Sequence, residues 1–170
     1  MSELAITVIG HDRPGIVADV AEALAGLGAN LTDSTMTRLR GHFAMTLVCT
    51  GPAAPEVEKA LAPLAAGGQL LATVREVGPE AETAVTGEPY VMSVHGADRL
   101  GIVAAVTRVL AEAGGNITDL TTRLTGPLYL LVAEVDLPAG TADAVSARLT
   151  EAAAELDVDV SLRPAETDLL

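Results

Sequence analysis

The sequence predicts an α+β protein built from two tandem βαββαβ units, each with an antiparallel sheet that carries both helices on one face. The main observation is a repeat: GHDRPGIV at Gly10–Val17 returns as GADRLGIV at Gly96–Val103. When the sequence is compared with itself at a shift of 86 residues, about half of the positions around this stretch carry identical residues. After a slip of one residue, TRL at Thr37–Leu39 also matches TRL at Thr122–Leu124. Both copies also alternate between the apolar periods of strands and of helices, so an internal duplication sets the organisation of the chain.

The first copy begins with a β-branched strand at Leu4–Gly10, which the turn residues DRPG end. A helix is expected next, with its apolar residues on one face at Ile16, Val20, Leu24 and Leu27. Asp12 is expected to cap the start of this helix, and Gly28 to close its end in a left-handed conformation. The remaining elements are strands at Asn30–Thr37 and His42–Thr50, a helix with Val57, Leu61 and Leu64 on one side, and a strand near Gln69–Val77.

The second copy repeats this order after a polar, acidic segment. The segment GPEAETAVTGEP, from Gly78 to Pro89, has no apolar periodicity and is typical of a linker. We therefore expect one domain at residues 1–78, a linker at 79–89 and a second domain at 90–170. The predicted elements are a strand at Tyr90–Gly96, a helix at Leu100–Ala113, strands near Asn116–Leu124 and Leu128–Asp136, a helix that carries Ala142, Val145, Leu149 and Leu156, and a strand near Val158–Arg163.

Charge and composition exclude several classes of function. The net charge is −13 and Lys59 is the only lysine, whereas gripping nucleic acid needs clustered Lys and Arg, so direct nucleic-acid binding is not expected. Cys49 is the only cysteine, which rules out an intramolecular disulfide and fits a buried thiol in a reducing compartment. The N-terminal MSELAITVIG lacks a signal-peptide pattern and no apolar run reaches membrane-spanning length, so we expect a soluble, cytoplasmic protein that does not bind membranes.

The sequence contains no recognisable catalytic or metal-binding pattern. The three histidines are far apart in sequence, and no histidine is arranged with Cys49 or a serine as a nucleophile and its base. HExxH, CxxC and acidic calcium-loop spacings are absent as well. We therefore expect a protein that is not an enzyme and that carries no metal or other cofactor.

The repeated corner at the start of the first helix of each copy suits a small zwitterionic ligand instead. A helix N-terminus attracts a carboxylate, a glycine lets the ligand approach the backbone, and aspartate and asparagine side chains can hold an ammonium group. In the first copy the candidate ligand-binding residues are Asp12, Gly15, Ile16 and Asn30. In the second copy they are Asp98, Gly101, Ile102 and Asn116. We expect each set to meet at one strand-to-helix corner and its facing strand.

Each candidate also has a purely structural alternative. The aspartates can act as helix N-caps without any ligand, the glycines can serve close packing of the helix on the sheet, and the asparagines can be turn residues with positive φ. Arg13 and Arg99 fit exposed ion pairs as well as ligand clamps. The copies also differ, because Pro14 of the first loop becomes Leu100 in the second, so two equivalent sites are not required.

The combination of a strand, the segment DRPGIVADVAEALAGLGANLTDSTMTR, a strand, a helix and a strand, present twice, resembles a tandem pair of ACT domains. The resemblance covers almost the whole chain apart from the linker and the tail PAETDLL, and two such domains in one chain are similar to the glycine cleavage system transcriptional repressor family. It implies a ferredoxin-like fold and regulatory modules that bind small molecules, mostly amino acids. In ACT domains the helix-start loop and the residue that matches Asn30 or Asn116 line the effector site, usually where two ACT domains meet.

The resemblance implies a non-enzymatic sensor of glycine or another small amino acid that switches a protein partner. Because the chain is acidic and has no helix-turn-helix signature, an effect on transcription of the glycine cleavage system is expected to be indirect, through a protein that holds the DNA. One alternative is a stand-alone allosteric subunit of an amino-acid metabolic enzyme. Another is a structural pair that forms a homo-oligomer through exposed sheet edges and binds no metabolite.

Overall fold

The computed structural model describes residues 2–79 and 87–166, and the chain divides into two compact units at Met1–Glu82 and Thr83–Leu170. The elements of the first unit are β1 (Glu3–His11), α1 (Ile16–Ala25), β2 (Asn30–Leu39), β3 (His42–Thr50), α2 (Ala54–Ala65) and β4 (Leu70–Val77). The elements of the second unit are β5 (Gly87–Ala97), α3 (Ile102–Glu112), β6 (Asn116–Thr125), β7 (Leu128–Pro138), α4 (Ala142–Glu155) and β8 (Val158–Pro164). Within the described residues, no helix has both the length and the apolar character needed to cross a bilayer.

Each unit contains one antiparallel four-stranded sheet, with the strand order β2-β3-β1-β4 in the first and β6-β7-β5-β8 in the second. The first strand of each unit therefore lies between two partners, β1 between β3 and β4, and β5 between β7 and β8. This order confirms the predicted α+β class with two tandem βαββαβ units of ferredoxin type.

The helices of each unit cover only one face of its sheet. On β1 the side chains of Leu4, Ile6 and Val8 are at most 1% exposed, because alternate strand residues point to the same face. They form one core with the buried residues of the two helices, which are Ile16, Val20, Leu24, Val57 and Leu61. The second unit has an equivalent core of its own, in which Met92 and Val94 of β5 pack with buried residues of both helices. The opposite face of each sheet is not covered by the unit's own helices.

The predicted buried position of Cys49 is confirmed. Cys49 lies on β3 with no exposed surface and contributes to the core of the first unit. Desolvation by burial raises the pKa of its thiol above the ordinary value. At neutral pH the thiol therefore packs in the core as a small apolar side chain.

The first strand of the second repeat begins three residues before its predicted start at Tyr90. Strand β5 begins at Gly87, so Gly87, Glu88 and Pro89 belong to a strand and pair with the last residues of β7. Residues 80–86 of the predicted linker lie outside the described residues. The three strand residues have no apolar alternation, and their strand conformation follows from pairing with β7.

The ends of the first helix in each unit are set by glycines. Gly15 is the N-cap of α1 and Gly101 the N-cap of α3, both in the left-handed conformation with φ 87°. The prediction that Asp12 caps α1 is wrong, because the helix begins four residues later and has no side-chain cap. The predicted start of the second helix at Leu100 is also too early, because the left-handed Gly101 cannot be helical. At the other end, the prediction for Gly28 is confirmed.

The closing motif at Gly28 is a Schellman turn. Gly28 has φ 71°, its N–H donates to the carbonyl of Ala25, and the N–H of Ala29 donates to the carbonyl of Leu24. In the second unit Gly114 has φ 77° and Gly115 donates to the carbonyl of Leu110. Both helices thus end in the same way before the second strand begins.

Candidate functional site

The repeated corner between the first strand and the first helix is open at the backbone. A Cβ added to Gly101 would meet no atom within 4 Å, and one added to Gly15 would meet only an Nη1 atom of Arg13 at 3.8 Å. Close helix-on-sheet packing is therefore not the reason for glycine at these positions. The reason is the left-handed conformation, which a side chain disfavours by about 1–2 kcal/mol. The space over each glycine is free for another molecule to approach the backbone.

The first turn of each helix presents its amide groups without a side-chain acceptor. Neither α1 nor α3 has a side-chain cap, and the first described intrahelical bonds run from Asp19 to Gly15 and from Ala105 to Gly101. Ile16 and Ile102 are the first helical residues, and their side chains are 1% and 2% exposed. These two side chains anchor the helix start in the core, so a ligand can use only their backbone amides.

The aspartates of the two corners have different surroundings. The N–H of Asp12 donates to the carbonyl of Gly41 at 3.2 Å, and its carboxylate lies 3.6 Å from an Nη1 atom of Arg38. Asp98 is exposed and has no hydrogen bond or ion pair in the described part of the chain. The second corner therefore offers a free carboxylate, whereas the carboxylate of the first is shared with a guanidinium group.

The difference arises because the two TRL motifs are not equivalent in the structure. Residues 86 positions apart occupy equivalent places in the two β-hairpins. Arg38 pairs with Phe43 on the helix-covered face of its sheet, whereas Arg123 pairs with Leu130 on the other face of its own sheet. The slip of one residue in the sequence match reverses the face of every side chain. The residue at the position of Arg38 in the second unit is Leu124, which cannot pair with an aspartate.

The repeated arginines lie in exposed ion pairs. Arg13, in the loop before α1, contacts Asp19 of α1 at 2.9 Å, and Arg99 lies 3.6 Å from Asp157 at the turn before β8. About half of each arginine side chain is exposed, at 46% and 50%. This arrangement matches the ion-pair alternative, and such pairs contribute little to stability.

The asparagines do not meet the corner of their own unit. Asn30 pairs with Thr50, which pairs with Glu3 at the start of β1, whereas the corner follows His11 at the end of β1. Eight strand residues separate the two levels, which corresponds to about 27 Å. Asn116 is displaced in the same way, because it pairs with Asp136 at the level of Pro89. The expectation that corner and asparagine face one another within one repeat is therefore wrong.

The alternative in which the asparagines are turn residues with positive φ is also wrong. The left-handed residues at the end of α1 and α3 are Gly28 and Gly114, and the asparagines are the first residues of β2 and β6. Among the described non-glycine residues, only Arg40 and Asp157 have positive φ. The exposed side chains of Asn30 and Asn116 thus have no role in these turns.

Sequence reasoning missed why each repeat begins with glycine. A Cβ on Gly10 would lie 2.0 Å from the carbonyl oxygen of Gln69, and a Cβ on Gly96 would lie 2.9 Å from a methyl group of Val158. The last strand of each unit begins directly against these glycines. Glycine at the first position of GHDR and GADR is therefore required by backbone approach, and a ligand is not needed to explain it.

No metal centre with three or more protein ligands is found in residues 2–79 and 87–166. The structure does bring together one pair of side chains that sequence reasoning treated as separate, His11 and His42, whose ring centres are 5.6 Å apart. Pairing the ends of β1 and β3 in the sheet order would have revealed this contact.

Comparison with known proteins agrees with this architecture. The chain matches the ACT domain family over residues 2–74 and 88–163. An unknown protein from Galdieria sulphuraria has a similar structure, with a TM-score of 0.81 and 31% identity over 97% of this chain and 99% of that one. The structure of a proposed glycine cleavage system transcriptional repressor has a TM-score of 0.74 and covers 98% of both chains, and its 21% identity shows a shared fold.

Shorter relatives resemble one part of the chain. The UPF0237 protein MK1213 of Methanopyrus kandleri is 48% identical over 48 residues, which are 28% of this chain and 53% of the relative. The UPF0237 protein lmo0533 of Listeria monocytogenes is 46% identical over 44 residues, which are 26% of this chain and 49% of the relative. The chain thus spans about half the length of the curated relatives it matches. With both repeats matched and both folded as βαββαβ units, the chain belongs to the ACT domain family and carries two ACT domains in tandem.

Proposed function

We propose that this ACT domain protein senses a small amino acid and transmits the signal to a protein partner. The observation that carries the proposal is the same corner in both units, where a left-handed glycine is the N-cap of a helix without a side-chain cap and the space over the glycine is open. The positive end of the helix dipole and the free amides of the first turn suit a carboxylate. The corner therefore binds the carboxylate of an amino acid.

The aspartates supply the charge for the ammonium group. Asp98 is free in the described structure, and Asp12 is shared with Arg38 across 3.6 Å, so the second corner is the stronger candidate for ammonium binding. Glycine is the proposed effector, in keeping with the family resemblance. A ligand of this size gains at most about 1.5 kcal/mol per heavy atom, so its dissociation constant is micromolar or weaker.

The asparagines are proposed as a second, separate set of effector contacts. Since Asn30 lies about 27 Å from the corner of its own unit, one amino acid cannot touch both elements of the same domain. The corner variants and the asparagine variants must therefore be tested independently. Their effects on affinity need not be equal.

A protein partner is proposed because the chain itself is poorly suited to DNA. With a net charge of −13, contact with phosphates is repulsive over most of the surface. A role in transcription would require a partner that holds the DNA. Affinity capture with and without the amino acid identifies that partner: a DNA-binding regulator supports indirect control of transcription, and a metabolic enzyme identifies a regulatory subunit instead.

The first experiment is a thermal-shift screen of the twenty amino acids. An external dye is needed because the chain has no Trp. At a hundred times its dissociation constant, a ligand that binds only the folded state adds about 2.7 kcal/mol, which raises Tm by several degrees. A selective rise with glycine or another small amino acid is expected, and a flat response to all twenty would refute the sensor.

Variants then assign the contacts. Asp98→Ala removes the proposed ammonium contact while the corner backbone is kept, and should reduce the shift more than Asp12→Ala does. Asn30→Ala combined with Asn116→Ala tests the second set. Glu22→Ala, on the exposed face of α1, is the control and should leave the ligand-induced shift unchanged.

A further inference from the structure

His11 and His42 form the last cross-strand pair between β1 and β3. They are direct partners in the register of the antiparallel sheet, with ring centres 5.6 Å apart and ring planes inclined by 30°. Both residues are exposed, and neither ring makes a hydrogen bond or an ion pair within the described residues. Two imidazoles with free nitrogens are thus held side by side by the pairing of two adjacent strands.

The separation of the rings fits chelation of one metal ion. A metal about 2.0–2.1 Å from a ring nitrogen lies about 3.2 Å from the centre of that ring. Two rings on one metal then have centres about 4.5 Å apart for a right-angled arrangement, about 5.2 Å for a tetrahedral one and about 6.4 Å for a linear one. The observed 5.6 Å falls within this range, so the spacing of the two rings is compatible with one metal ion between them.

The pair is particular to the first unit. The corresponding cross-strand partners at the end of β5 are Ala97 and Leu128. The histidine of the second unit is His95, which lies on β5 two residues before Ala97. Its Nε2 atom is 3.4 Å from a carboxylate oxygen of Asp159. The duplication therefore provides an internal control in which the same backbone lacks the imidazole pair.

We propose that His11 and His42 chelate a divalent transition metal of the kind that imidazole favours, such as Zn²⁺, Ni²⁺ or Cu²⁺. The two rings supply two ligands, and the remaining coordination positions are left to water or to an incoming small molecule, since no group of three or more protein ligands lies together in the described residues. The site differs from the proposed amino-acid site and does not depend on it.

The test is a titration of the purified protein with Zn²⁺ alone. Isothermal titration calorimetry measures the affinity and stoichiometry, and NMR monitors the signals of the three histidine rings. One Zn²⁺ is expected to bind, and the ring signals of His11 and His42 should shift together while those of His95 stay in place. His11→Ala and His42→Ala should each weaken binding at least about tenfold, because a change outside the ligand shell already costs 10–100-fold. His95→Ala is the matched control and should leave the affinity unchanged.

Affinity should also follow the ordinary order of divalent metals, with Cu²⁺ bound more tightly than either Ni²⁺ or Zn²⁺. The proposal fails if the wild-type protein binds Zn²⁺ no more tightly than the variant that lacks both histidines. It also fails if His95→Ala weakens binding as much as His42→Ala does. Far-ultraviolet circular dichroism of each variant verifies that the fold is retained, which is expected because both replaced side chains are exposed.

Discussion

Replacing Gly101 with alanine isolates the backbone cost of the helix start on which the proposed site depends. Gly101 has φ 87° and ψ 8°, and a new Cβ would have nothing within 4 Å to collide with. The effect therefore comes from conformation alone. An L-residue in the left-handed region costs about 1–2 kcal/mol. In a unit of this size each kcal/mol lowers Tm by roughly 4–8 °C.

Two further glycines make the measurement decisive. Gly15 has the same φ of 87°, so Gly15→Ala should be destabilising by a similar amount. Gly26, at the other end of α1, has φ −60° and ψ −23°, and a Cβ there would be 3.4 Å from the nearest atom. Gly26→Ala should therefore be neutral or stabilise by about 0.4–1 kcal/mol, because alanine reduces the entropy of the unfolded chain.

Urea unfolding monitored by circular dichroism gives the free energy of unfolding of each variant, provided that its dependence on urea concentration, the m-value, is the same for all variants. The free energy of unfolding of Gly26→Ala should equal or exceed that of the wild type, and that of Gly101→Ala should be lower than both. A Gly101→Ala variant as stable as the wild type would refute the left-handed helix start. A Gly26→Ala variant that loses as much stability as Gly101→Ala would show that alanine is disfavoured for another reason.

The remaining predictions concern other parts of the first unit. Gly10→Ala should lose at least about 3 kcal/mol or fail to fold, because its Cβ would lie 2.0 Å from a backbone oxygen of the neighbouring strand; a loss below about 1 kcal/mol in urea contradicts this. Leu61→Ala should lose about 2–5 kcal/mol, since the side chain is 1% exposed, and the urea midpoint measures it. Burial raises the pKa of Cys49, so the unfolded thiol ionises first, near its ordinary 9.0, and stability should fall as pH rises above that value; rapid alkylation of the native thiol at neutral pH would contradict the burial. Arg38→Ala should change stability by less than about 1 kcal/mol, since 68% of its side chain is exposed, and a larger loss would show that its pair with Asp12 is more than a surface contact.

The order of the elements could be derived from the sequence because it depends on local chemistry. Apolar periods distinguish strands from helices, and Gly28 closes α1 as its position after the last apolar residue predicts. The strand His42–Thr50 has its predicted bounds. The duplication reinforces each of these assignments, because both copies lead to the same order although many of their residues differ.

Which side chains lie at the corner depends on the register of strand pairing, and a local sequence pattern does not specify that register. The two TRL motifs match in sequence after a slip of one residue, yet Arg38 and Arg123 lie on opposite faces of their sheets. A slip of one residue is a small change in an alignment and a complete reversal in a strand. Only the pairing of β2 with β3, and of β6 with β7, distinguishes the two positions.

The spacing of the candidate residues was likewise a property of the folded sheet. Asn30 follows the corner by fewer than twenty positions in sequence. Helix α1 lies between them and runs back along the sheet, so Asn30 is at the opposite end of the sheet from the corner. His11 and His42 are distant in sequence and adjacent in space, because antiparallel pairing brings the end of β1 against the start of β3. Local sequence sets which segments become helices and strands, whereas long-range pairing and burial decide which side chains meet, and those depend on the whole sheet at once.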